Sequence, residues 1–99
     1  MKIYFTEQSL VSLHEPLEFI SDQISAEKLQ QIRNQILNAT DILLKNPKLG
    51  QPEEYLTHLN LGHRRIIEGH YKIIYRAKGQ SIYVTDIFDT RQDPKKIKS

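Results

Sequence analysis

Arg64, Arg65, Lys72, Arg76, Lys78 and Arg91 crowd into the last third of a 99-residue chain. Guanidinium forks grip phosphate or carboxylate in bidentate geometry, and an ammonium adds a point charge. The chemistry open to these residues is therefore recognition of an anion, carried by nucleic acid or by an acidic protein segment. The structural alternative is pairing with Glu68, Asp86 and Asp89 across strands, which contributes little to stability. Lys72, Arg76 and Arg91 are expected to converge on one region.

Other chemistries are less well supplied. Asp86, Asp89 and Asp93 invite a metal-dependent reading. Asp86 and Asp89 are three apart on a strand, however, so they point to opposite faces and cannot chelate one ion without a bulge. His14, His58, His63 and His70 show no paired ligand spacing. They read as surface or turn residues, with His63 and His70 left as weak acid–base candidates. There is no nucleophile elbow, phosphate loop or glycine-rich nucleotide fingerprint, and no Cys. No metal and no cofactor is expected. Tyr71 and Tyr75 are expected in the core with hydroxyls reaching its edge. Tyr83 is expected to pack or to touch a partner, with base stacking as the alternative.

The elements that must position these residues can be read from periodicity. Lys2 to Phe5 is a short strand, and Thr6 can cap the helix that follows. Leu10, Leu13, Leu17, Ile20 and Ile24 then recur at helical spacing. Pro16 lies inside that stripe and predicts a kink or break near residues 12–16. Ser25 caps a second helix with the stripe Leu29, Ile32, Ile36, Ala39 and Leu43, which stops at Asn46-Pro47. The short connection predicts an antiparallel αα-hairpin. Residues 47–62 form a connector, with one helical turn around Glu53–Tyr55.

Three β-type runs follow: Arg64–Glu68, Tyr71–Ala77 and Ser81–Asp89, joined by Gly-containing turns. Along the middle run Tyr71, Ile73 and Tyr75 share one face, and Lys72, Ile74 and Arg76 the other. The helices must cover one face to bury their own stripes. The Lys72/Arg76 face is the poorer packing surface and is expected to stay open, its cations lining a shallow groove. The tail, residues 94–99, is expected to fray.

The whole is one domain, residues 1–99, of α+β class: an N-terminal strand, then an antiparallel αα-hairpin on one face of a small, mainly antiparallel sheet that ends in a three-stranded meander. Residues 1–62 carry five Lys/Arg against eight Asp/Glu, and residues 63–99 nine against four. The positive charge thus belongs to the strands and tail, which favours an anionic partner. No run approaches the ~18 apolar residues of a membrane span. The N-terminus is too short and polar for a signal peptide, so a cytoplasmic protein is expected.

The element order, with Arg64-Arg-Ile-Ile-Glu-Gly-His-Tyr-Lys-Ile-Ile-Tyr-Arg76 and Tyr83-Val-Thr-Asp-Ile-Phe-Asp-Thr-Arg-Gln-Asp93, resembles the RelE/ParE toxin superfamily of bacterial type II toxin–antitoxin and plasmid stabilization modules. Pro47-Lys-Leu-Gly50 resembles the Pro-x-x-Gly that follows the second helix there. The resemblance implies growth inhibition relieved by a cognate antitoxin. RelE-like members cut mRNA on the ribosome without metal, and Arg65, Lys72 and Arg91 fall where their basic residues would lie. That cleavage needs one group to take the 2′-OH proton and another to protonate the leaving oxygen. Here the tail offers no Tyr or His, and Asp89 stands where many relatives carry a His.

ParE-like members inhibit DNA gyrase and need no catalytic set, so the resemblance favours a ParE-like gyrase inhibitor over an enzyme. A ribosome-dependent mRNA endonuclease is the alternative, and a non-toxic binding domain the third reading. The implied anion or target contacts are Arg64, Arg65, Lys72, Arg76 and Arg91. The implied antitoxin contacts are the helical residues Leu13, Leu17, Ile20, Ile32 and Ile36. A homo-oligomer is compatible with the sequence.

Overall fold

The computed structural model describes the backbone of residues 1–20 and 25–99, and side chains outside residues 14–24. Strand β1 (Lys2–Phe5) leads into helix α1 (Glu7–Ile20), and α2 (Ala26–Lys45) follows. A two-residue strand β2 (Gln51–Pro52) and a 3-10 helix (Glu54–Leu59) come next. The meander is β3 (Arg64–Glu68), β4 (Tyr71–Lys78) and β5 (Ser81–Asp89), with a 3-10 turn at Pro94–Lys96. The five strands form one sheet in the order β1-β5-β4-β3-β2. Among the described strands, only β1 runs parallel to its neighbour, β5. The sequence predicted four of these strands; Gln51–Pro52 is an addition, too short to carry any period.

Both helix starts are capped as the sequence predicts. The Ser9 amide donates to Thr6 Oγ1 at 3.1 Å, and the Lys28 amide to Ser25 Oγ at 3.1 Å. Helix α1 differs from expectation in two ways. It runs unbroken from Glu7 to Ile20, through Pro16. A proline removes a single intrahelical bond, and the cap at Thr6 together with the burial of Ser9 and Leu13 holds the turns before it. The inward stripe is also displaced at its start. Ser9 is fully buried and Leu10 largely exposed. Ser9 can turn inward because its hydroxyl is satisfied by the Thr6 carbonyl at 2.8 Å. Of the remaining predicted stripe, the side chains of Leu17 and Ile20, and all of Ile24, lie outside the described residues.

Helix α2 keeps its predicted phase. Ile36, Ala39 and Leu43 are buried, Leu29 and Ile32 are packed at the margin, and Leu37 is exposed. These residues and Leu13 meet Tyr71, Ile73, Tyr75, Ile82, Val84 and Ile87 from the sheet. Tyr75 is fully buried, and its hydroxyl is satisfied on both sides. It accepts from the Gly50 amide at 2.9 Å and donates to the Pro47 carbonyl at 2.9 Å. This is the physical content of Pro47-x-x-Gly50. A Cβ at residue 50 would lie 2.8 Å from the Tyr75 hydroxyl and overlap the Arg65 carbonyl, so only glycine fits.

The second face of the sheet is covered over part of its area, where the sequence reading expected it open. Leu56 from the 3-10 helix and Ile97 from the tail pack on Ile74 and Phe88 in a smaller apolar cluster. The tail is docked rather than frayed. The Lys98 amide donates to Asp86 Oδ2 at 2.8 Å, and Ile97 is buried. Apolar residues at 74 and 88 on the cation-bearing face need a cover, and the connector and tail supply it.

Candidate functional site

Strand parity places each predicted cation. Arg65 pairs in register with Ile74, and Lys72 with Phe88, so Arg65, Lys72, Arg76 and Lys78 share the second face. Arg64 pairs with Tyr75 and belongs to the helix side. A register shift between Ile74 and Tyr75 leaves Thr85 as an extra residue on β5. Asp86 and Asp89 lie beyond it and still emerge on opposite faces, opposite Ile74 and Tyr71 respectively. Arg91 follows Asp89 past the end of β5. It lines a groove with Lys28, Ile32, Ile36, Glu68 and Tyr71, on the helix side. The expected convergence of Arg91 with Lys72 and Arg76 does not occur, because β5 ends on the Asp89 side of the sheet.

Most of the cations already have acceptors within the chain. Arg64 Nη1 donates to the Gly50 carbonyl at 2.7 Å. Arg65 donates to the Pro52 carbonyl. Lys72 Nζ donates to Glu53 Oε1 at 3.1 Å and lies 5.8 Å from the centre of the Tyr55 ring. Glu53 is buried, its other oxygen accepting from the Tyr55 amide at 3.2 Å. A buried carboxylate requires such a partner, so Lys72 is held in place structurally. Arg91 Nε and Nη2 grip Asp89 at 3.0 and 2.7 Å, and the Arg91 amide adds a third bond at 2.9 Å. The Arg91 hydrogen bond holds the Asp89 carboxyl below its usual range. In turn, Asp89 raises the Arg91 guanidinium.

Arg76 differs. Its Nε is buried and has no acceptor among the described residues. Beside it His63 is buried, with neither ring nitrogen bonded. Burial, and then the Arg76 charge, push the His63 pKa down. The sequence reading took His63 for a surface residue at a strand start. Its position one step before β3, on the Arg65 side, was the available signal. Glu53 was missed entirely, because nothing in a Pro-rich connector announces a buried acid. Tyr4, stacked on Tyr83 across β1 and β5, was missed because the parallel pairing of these strands leaves no local trace.

Of the implied antitoxin contacts, Leu13 and Ile36 are core residues, and Ile36 and Ile32 both line the groove shared with Arg91. Among the described residues, no group of three or more acidic or histidine side chains could hold a metal ion. No helix there is long and apolar enough to cross a membrane.

The sequence model for the ParE toxin of the type II toxin–antitoxin system parDE matches residues 3–94. The chain belongs to the ParE toxin family. The fold agrees with a solved structure described as the chromosomal ParDE TA system from P. aeruginosa, at TM-score 0.72 and 22% identity, covering 88% of this chain and 92% of that one. No curated protein matches the chain significantly in sequence. Within the ParE family, then, this chain is an α+β toxin of a type II toxin–antitoxin system whose sheet cations are mostly committed to its own carbonyls and carboxylates.

Proposed function

We propose that this ParE toxin acts by binding DNA gyrase and inhibiting it, and that a cognate antitoxin neutralises it. The observation that carries the reading is the family match over residues 3–94. The site supports it. Of the residues that would serve an endonuclease, Lys72 is held by Glu53 and Arg91 by Asp89, on opposite faces of the sheet. RNA cleavage needs groups that converge on one scissile phosphate to take and return a proton, and here the side chains nearest these cations are divided too, Tyr55 beside Lys72 and His70 and Tyr71 beside Arg91. A binding inhibitor needs only a complementary surface.

The antitoxin is assigned to the groove lined by Lys28, Ile32, Ile36 and Arg91. This groove combines aliphatic side chains with Lys28, Glu68 and the Asp89-paired Arg91, suited to an amphipathic segment that carries charges of both signs and folds on binding.

Supercoiling by purified gyrase is the deciding assay. The protein is expected to inhibit it, and the co-expressed partner from the neighbouring reading frame to relieve the inhibition. Arg76→Ala is expected to weaken inhibition by about 1–3 kcal/mol, as loss of a charged hydrogen bond does. Codon-phased cleavage of ribosome-bound mRNA, lost in Arg65→Ala or Lys72→Ala with supercoiling untouched, would replace this reading by the endonuclease.

A further inference from the structure

Tyr4 and Tyr83 stand directly opposite each other on the parallel strands β1 and β5. Their rings are stacked, with centroids 5.4 Å apart and planes 20° from parallel. Tyr4 is 45% exposed, and Tyr83 is half-buried. The register builds two rows across three strands of the second face. One runs Tyr4, Tyr83, Arg76; the other runs Lys2, Ser81, Lys78. Two flat π surfaces are thus bordered by three cations, each about one strand spacing (~4.8 Å) from a neighbour in the next strand.

One ring surface of Tyr83 is covered by Tyr4, and the other turns toward Arg76 on β4. A depression of ≈ 380 Å³ lies there, lined by Leu61, Arg76, Lys78, Tyr83 and Thr85. The outer surface of Tyr4 looks past the sheet edge, since β1 is the edge strand among the described residues. Arg76 Nε is a buried donor without an acceptor. Lys2 and Lys78 are exposed, and neither forms an ion pair among the described residues.

The chemistry of the ligand follows from what this platform lacks. Among the described residues, it offers planar rings with no further ring stacked on them, and cations with no counter-charge. An acidic peptide would use the cations and leave the rings bare. A duplex would present phosphates but keep its bases stacked inside. A single strand satisfies both, because every base has a π-face for an aromatic ring and every nucleotide carries a phosphate. We propose that the Tyr4–Tyr83 platform, with Lys2, Arg76 and Lys78, binds single-stranded nucleic acid, a base lying on tyrosine and phosphates meeting the cations. This goes beyond the gyrase reading and does not depend on it.

The test is fluorescence anisotropy of the purified protein with labelled oligothymidine and oligouridine, beside a duplex and an oligoglutamate peptide, across a salt series. Both single strands, or one of them, are expected to bind and to quench tyrosine emission, and the tighter one identifies the sugar preferred. With three phosphate contacts, log K against log salt should fall with a slope of about −2, and Lys78→Ala should flatten it by about 0.7. Tyr83→Leu should weaken binding about 5- to 150-fold, the worth of one stacked base. Tyr83→Phe should retain it. Unchanged circular dichroism and melting temperature of Tyr83→Leu separate that loss from unfolding. No single-strand binding, equal binding of the duplex, tighter binding of the peptide, or a Tyr83→Leu protein that binds like the parent would each overturn the proposal. Gyrase inhibition is read in a separate assay, so either idea can fail alone.

Discussion

Single side chains here are tuned by what surrounds them more than by their type. His63 has no hydrogen-bond partner, is buried, and sits beside the Arg76 guanidinium. Its folded pKa is therefore below the unfolded value of about 6.5. Above pH 6.5 both states carry neutral imidazole, and stability is unaffected. Below it the unfolded chain takes up a proton that the folded chain refuses, so stability falls with pH until the folded pKa is reached. Urea titrations from pH 7.5 downward should show this loss starting near pH 6.5. His63→Phe should remove that part of the slope, and Arg76→Met should shrink it by easing the charge that opposes protonation. A slope unchanged in His63→Phe would mean that the fold does not shift the His63 pKa. The contribution of Asp89 lies in a separate, more acidic window, since its carboxyl is held below its usual range by Arg91.

At the scale of elements, the 3.6-residue period fixes which side of α2 meets the sheet. Ile36 is 1% exposed and Leu37 is 42% exposed, one residue apart. Ile36→Ala should cost about 2–5 kcal/mol, as buried aliphatic truncations do. Leu37→Ala should cost clearly less. Equal losses in chemical denaturation would mean that the helix is rotated from this phase.

That contrast also explains what could be read from sequence. The phase of α2, the caps at Thr6 and Ser25 and the meander were legible because each follows from local spacing or one side-chain oxygen. Gln51–Pro52 was not, since two residues carry no period. The inward Ser9 was not, because hydrophobicity alone assigns that place to Leu10. In the cationic site, parity put Lys72 and Arg76 on one face correctly. Only tertiary structure could reveal that Glu53 holds Lys72, that Asp89 holds Arg91, and that Tyr4 stacks on Tyr83.

For the whole molecule, the consequence is a sheet packed by helices on one side and over part of the other. One side carries the helices. The other is covered around Ile74 and Phe88 by two segments with no strong element of their own, the 3-10 helix and the tail, through Leu56 and Ile97. Ile74 is fully buried and shares β4 with Tyr75 of the main core, so the two clusters are back to back through one strand. Loss of the smaller cluster should therefore be felt by the entire domain. Ile97→Ala removes an aliphatic side chain that is 8% exposed, with two residues after it in the sequence. A loose tail would tolerate it. A tail that completes the core should lose about 2 kcal/mol, the lower end for such truncations. For a domain of this size, a loss of that order lowers the melting temperature by roughly 8–16 °C. Amide exchange provides the second reading. If faster exchange is confined to residues 94–99 while the melting temperature holds, the tail is an independent unit. If exchange quickens along β4 and β5 as well, the tail and the helices stabilise one cooperative fold from opposite sides of the same strands.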